Sequence, residues 1–317
     1  MAAGVSSDLH NRREGMEDAW QLNETPAQFV RRLPPGKVPF PWIWCENPHP
    51  PSGKNKATER GWDENKFYTE SHALLQKYSN KRKKIQEDNP ERPQGFITRK
   101  LKPDREALQN DLLKVAKDTG TTSGKWMLFP KTDDAPRIWK SICEGVINNK
   151  LGPTAKIAGY LDSPDDKTLI ICVYTRDFSD QADIQRVAKE LANMGLIVWP
   201  GGTAAFGTIY YKCDAYTYLD IKSSNPYNLQ ASLYNSKDVL TDAKKTPQVQ
   251  GKKLGSSTTV LKRSREKENI APSPSPSPNF ETVRGKLTKR KIIDVDECAE
   301  TQEKRRKSAD ALLKRGL

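Results

Sequence analysis

The chain has 317 residues, 29% of them charged and 35% hydrophobic, with a mean hydropathy of −0.80 and a net charge of +13. That is too little apolar material for two large cores, so one domain with poorly structured flanks is expected. The five cysteines (45, 143, 172, 213 and 298) form no CxxC pair, which fits reduced thiols in the cytosol or nucleus and argues against a zinc site.

The first 35 residues end in LPPGKVPFP and read as a flexible N-terminal arm with no apolar signal stretch. Residues 36–235 should form the folded domain. Trp42 to Cys45 reads as a short strand, with Trp42 and Trp44 on one side of it. A polar loop follows and contains Trp62 between Gly61 and Asp63. Glu70 to Ser79 reads as a helix, with Leu74, Leu75 and Tyr78 on one side. Lys81 to Lys84 and the stretch to Arg99 read as basic, proline-interrupted loop. Pro103 to Lys117 is a second helix, with Leu108, Leu112 and Val115 at helical spacing, and GKWMLF (124–129) is a strand.

Asp134 should cap a helix reaching about Asn149. Thr154 to Tyr160 and Thr168 to Thr175 read as strands joined by the hairpin loop LDSPDDK. Asp180 opens a helix with Ile184, Val187, Leu191 and Met194 inward, closed by Gly195. Leu196 to Trp199, Thr208 to Cys213 and Tyr216 to Ile221 complete the strands; the last two place Tyr210, Tyr216 and Tyr218 at alternate positions. Short connections imply antiparallel pairing, with the helices on one face, so the class is α+β.

Hydrophobicity collapses after about residue 238, and residues 236–317 read as a disordered, basic tail. Their 20 Lys+Arg against 11 Asp+Glu give +9 of the total +13, so the body is only mildly basic. Lys289, Arg290 and Lys291 precede Lys304, Arg305, Arg306 and Lys307 by twelve residues. Two basic clusters so spaced suit a bipartite signal read by a nuclear import carrier, or else a generic polybasic tail. Ser273, Ser275 and Ser277 each precede a proline and could accept phosphate.

No apolar run reaches the ~18 residues of a spanning helix, so no membrane partner is expected. The three histidines pair with no nucleophile, no GxxxxGK[ST] loop exists, and PGGTAAFG opens into a strand. The chain is therefore expected not to be an enzyme, and no cofactor or metal is expected. KYSNKRKK, with five basic residues in eight, is either a solvated helix end or a surface for phosphates or an acidic partner.

WIWCEN, GKWMLF, IWKSICEGVINNKLG, the hairpin AKIAGYLDSPDDKTLIICVYT and DIQRVAKELANMGL follow one another in an order that resembles the eukaryotic initiation factor 4E fold. More closely, the chain resembles the basophilic leukemia expressed protein family, which is assigned to that fold. The resemblance spans about residues 38–222. It implies a curved antiparallel sheet with helices on its convex face and a messenger-RNA cap site on the concave one.

In such a site two aromatic rings sandwich the methylated guanine, an acidic side chain accepts from its edge, and basic side chains hold phosphate. Trp62 stands where the resemblance implies the first sandwich ring. Lys167 stands where it implies a phosphate lysine, with Lys156 and Arg176 as supplements. The second tryptophan and its glutamate are missing, because DREALQNDLLKVAKDTGTTS carries no aromatic residue. The expectation is thus a non-catalytic RNA or nucleotide-binding module, cytoplasmic and nuclear, without a complete cap site. Packing of Trp62 against the domain is the alternative to stacking. A protein-interaction adaptor that uses the helical face is the alternative function.

Overall fold

The computed structural model describes residues 9–50, 61–161, 163, 167–198 and 204–241. The tail motifs, the serines before proline, Trp199 and most of the LDSPDDK turn lie outside these residues. Among the described residues, six strands form one open antiparallel sheet in the order β1-β3-β4-β2-β5-β6. They are β1 (Lys37–Glu46), β2 (Gly124–Leu128), β3 (Thr154–Tyr160), β4 (Ile171–Thr175), β5 (Tyr210–Cys213) and β6 (Tyr234–Asn235). The architecture is α+β.

Alternation along the strands sends Ile43, Cys45, Ile157, Ile171, Val173, Trp126 and Leu128 to one face, where all are buried. Helices α5 (Ala135–Ile147) and α6 (Gln181–Asn193) cover that face with Ile138, Trp139, Ile142 and Val146, and with Ile184, Val187 and Leu191. Burying a side chain of this kind contributes about 1.5–3 kcal/mol, so these two apolar stripes dominate the stability of the domain. The Trp126 indole confirms the docking by donating to the Ile184 carbonyl at 3.3 Å. Asp180 caps α6 through the Asp183 amide at 3.1 Å. The Asp134 carboxylate instead turns to Arg137 at 3.5 Å and makes no cap bond.

Several segments differ from the sequence reading. Of the expected strand from Leu196 to Trp199, the described residues hold only an isolated bridge between Ile197 and Phe206, and residues 236–241 of the expected tail are helical, with Leu240 buried. The expected arm is built into the domain from residue 9 onward: Trp20 and Phe29 are buried, and Ala19 bridges Trp44 in parallel along the outer edge of β1. A capping box, Thr25 with Gln28, starts α1 (Pro26–Arg32), which packs on α5. The expected basic loop from Lys81 is largely helical. Helix α2 runs Glu64–Glu87, burying Phe67, Ser71, Leu75, Tyr78 and Ile85 along one side while its charged residues face water; α3 (Gln94–Lys100) follows. Its basic end is partly paired, with Lys81 on Asp104 and Lys83 on Glu87.

Last, the segment after β5 is no strand but a short helix, α7 (Asp214–Tyr218). Helix α4 (Lys102–Asp118) packs on both α2 and α7, and α8 (Ser236–Thr241) packs on α6. α7 sends Asp214 and Thr217 to Lys125, which faces away from Trp126. The helices therefore do not all gather on one face.

Candidate functional site

The Asp63 amide donates to the Thr119 carbonyl, and the Asp63 carboxylate caps α2 at the Lys66 amide. These two bonds fix the entry to α2, with Trp62 one residue outside it. The indole lies on the Tyr218 ring, with centroids 5.2 Å apart and planes 18° apart. Both rings remain in water, at 45% and 42% exposure. Phe67 meets Tyr218 edge-on at 6.3 Å, and Tyr68 stacks on His72 at 5.9 Å one turn further along α2. Burial and the nearby Asp214 carboxylate hold the Tyr218 phenol above its ordinary range, so it is a neutral hydroxyl at physiological pH.

Beneath this stack lies an ion pair, with side chains only 9% exposed on each partner. Lys125 Nζ donates to Asp214 Oδ1 at 2.6 Å and to Thr217 Oγ1 at 3.0 Å, and Ser123 donates its hydroxyl to Asp214. Burial opposes the charge on Lys125, but the Asp214 carboxylate and other neighbours outweigh it and hold the ammonium above its ordinary range. Burial likewise opposes the charge on Asp214, and Lys125 and Ser123 bring its carboxyl below the usual value. Both members are thus charged at neutral pH. The pair pins α7, and with it Tyr218, to β2.

Mid-sheet on the same side as Lys125, Lys156 holds its ammonium 3.8 Å from the Trp42 ring centroid and 4.9 Å from that of Trp44. The Arg13 guanidinium lies 3.9 Å from the Trp44 centroid and pairs with Glu46 at 3.1 Å. Trp42 is buried and Trp44 half-buried, both packed into the domain. Lys156 is therefore a cation seated on indoles, an arrangement worth about 0.5–2 kcal/mol.

The remaining site residues separate by strand end. Gly124 of β2 pairs with Thr175 of β4 and Cys213 of β5, while Leu128 pairs with Ile171. Tyr218 follows Cys213, and Arg176 follows Thr175, its carbonyl accepting from the Thr122 hydroxyl. Trp62, Tyr218 and Arg176 thus share the Gly124 end of the sheet. Lys167 precedes β4, its carbonyl accepting from the Thr132 amide at the Leu128 end. The expected joining of Trp62 and Lys167 in one hollow does not occur.

Trp126 and Trp139 are fully buried core residues, as is Tyr216, whereas Tyr210 is exposed. Sequence reasoning missed Tyr218 as the partner of Trp62, and Lys125 and Asp214 as the pair behind it. An acid opening the segment DAYTY was the available signal for a helix, but the tyrosine alternation also fits a strand.

Among the described residues no group of three His, Cys, Asp or Glu side chains could hold a metal ion, and no helix is long and apolar enough to cross a membrane. Residues 2–220 match the family described as basophilic leukemia-expressed protein Bles03. The match covers more than half of the sequence, so the chain belongs to that family.

Proposed function

We propose that the protein is a non-catalytic RNA or nucleotide-binding module of the initiation factor 4E type, in which a base stacks on the outer face of Trp62. The observation that carries this reading is the Trp62–Tyr218 stack, two large rings left in water at the end of a sheet. Base–aromatic stacking is worth about 1–3 kcal/mol per base, and a ring already held flat and half-exposed loses little freedom when it stacks. The order of β1, the Trp62 loop, β2, α5, the β3–β4 pair, α6 and β5 supports the fold assignment.

A guanine sandwiched between Trp62 and Tyr218 would need centroids about 7 Å apart, twice the ~3.5–4.0 Å contact distance. At 5.2 Å the rings are already closed on one another. The reading therefore carries no cap specificity.

The test is tryptophan fluorescence on titration with capped and uncapped oligonucleotides at two salt concentrations. Stacking predicts quenching that weakens with salt and is lost in Trp62→Ala, with affinity falling about five- to a hundred-fold. Absence of quenching at moderate salt refutes it in favour of the adaptor reading. That alternative draws on the cleft of about 290 Å³ between α6 and α8, beside Ile184, Leu233, Tyr234 and Val239. It offers room for a few side chains of a partner.

The proposal extends to the tail, where the two basic clusters at 289–291 and 304–307 would engage a nuclear import carrier. The protein would then occupy cytoplasm and nucleus. Replacing both clusters with alanine should abolish nuclear accumulation of the full chain in cells; unchanged accumulation would exclude the signal.

A further inference from the structure

A second feature lies at the Gly124 end of the sheet. A polar cleft of about 370 Å³ opens between the residues after β1, the α5–β3 turn and the first turn of α6, lined by Asn47, His49, Gly152, Arg176, Asp180 and Arg186, among others. The Arg176 guanidinium is about half-buried there. Within the described structure no hydrogen bond or ion pair reaches it.

The carboxylates around Arg176 are engaged elsewhere. Asp183 holds Arg186 at 2.7 Å, and Glu46 holds Arg13 and Thr154, each at 3.1 Å. Asp180 caps α6, and Asp177 takes the Ser179 amide and hydroxyl at 2.7 Å. Arg186 is itself spent on the Lys150 and Leu151 carbonyls. Burial disfavours the charge on Arg176 and the Arg12 guanidinium repels it, while the Asp183 and Glu46 carboxylates offset part of both. What the guanidinium offers is a set of N–H donors with no partner inside the cleft, open to an anion that reaches them.

We infer that this cleft binds the phosphate group of a small phosphorylated molecule, with Arg176 as its principal ligand. A phosphate monoester carries close to two negative charges at pH 7 and three acceptor oxygens, so it can take several of the open Arg176 N–H donors at once. Asn47 and the His49 ring stand on the same wall. His49 Nε2 is tied to the Ile147 carbonyl at 3.0 Å, and Asn47 donates to the Asn149 side chain at 2.8 Å, so both are held in place. The volume falls at the small end of ligand sites, which span about 300–1,000 Å³, so the body carrying the phosphate must be small.

The inference does not rest on stacking at Trp62, and its test avoids aromatic rings. The full chain is titrated calorimetrically at low salt with glycerol 3-phosphate, inorganic phosphate and, as control, glycerol. Binding of glycerol 3-phosphate at millimolar concentration or below, weakened about tenfold or more in Arg176→Gln and unchanged in Lys167→Ala, is the expected result. Equal binding of inorganic phosphate, lost in the same variant, supports the site with the free anion as its occupant. Failure of both phosphates to bind, or equal binding by Arg176→Gln, overturns it. Should Arg176→Gln not fold, amide spectra of the wild-type chain decide: phosphate-induced shifts centred on Asn47, His49, Gly152 and Arg176 support the site, and shifts centred elsewhere overturn it.

Discussion

Replacing Asp214 by asparagine would leave Lys125 buried with its charge uncompensated, since 9% exposure gives the ammonium little water. Thr217 would remain as a neutral acceptor at 3.0 Å. Breaking a buried pair by removing one member costs about 3–5 kcal/mol. The Thr217 contact and whatever bond the new amide makes place the expected loss near the lower bound, about 3 kcal/mol. Removing both charges, in Lys125→Met with Asp214→Asn, should cost less than Asp214→Asn alone, because no orphaned ion remains.

The pH dependence follows from the directions of the two shifts. Lys125 titrates higher folded than unfolded, so its contribution is complete below its unfolded value near 10.5 and fades as pH rises through the folded one. Asp214 titrates lower folded than unfolded, so its contribution is complete above about 3.8 and fades as pH falls through the folded value. The gap between wild type and Asp214→Asn should therefore be level from about pH 5 to 9 and shrink below pH 4. Urea denaturation of the four chains of the double-mutant cycle measures it. A coupling below about 0.5 kcal/mol, or a gap that widens on acidification, would refute the claim that this pair pins α7. Because α7 carries Tyr218, Asp214→Asn should also weaken nucleotide quenching of Trp62 without touching either ring.

The N-terminal segment gives a second check. Trp20 is buried and its indole donates to the Glu24 carbonyl at 2.9 Å, so Trp20→Ala should cost about 3–5 kcal/mol in chemical denaturation; a loss under 1 kcal/mol would return residues 9–35 to the status of an arm. A third concerns Gly159, where a Cβ would stand 2.0 Å from the Phe40 carbonyl oxygen. Gly159→Ala should lower the melting temperature through a backbone clash between β3 and β1, whereas an unchanged melting point would contradict that packing.

Much of the fold was legible because periodicity reports burial directly: LIICVY, GKWML and the Ile184–Val187–Leu191 stripe became covered elements. What failed were segments whose structure depends on distant contacts. Helix α2 looks too charged beyond Lys81, yet Tyr78 and Ile85 keep its buried side in register against α4. Trp20 and Phe29 are isolated apolar residues in a polar stretch, with no local pattern to announce a core role. Trp62 was conspicuous as an indole in a polar loop; its partner was not, since the pairing of Trp62 with Tyr218 is a product of topology alone.

Topology also decides which cations can serve a base on Trp62. The five residues of β2 span about 17 Å at ~3.4 Å each, and Lys167 lies at the far end of that span from Trp62. One nucleotide cannot cover such a distance between base and phosphate, whereas a strand of several nucleotides running along the sheet could. Arg176 leaves the sheet at the same end as Trp62, so a ligand that reached it from Trp62 would not have to run the length of β2. The two cations therefore make opposite demands on ligand size. If single nucleotides quench Trp62 as fully as oligonucleotides do, and Lys167→Ala leaves both unchanged, the site is a local one at the Gly124 end. If quenching needs several linked nucleotides and weakens in Lys167→Ala, the ligand runs the length of the strands.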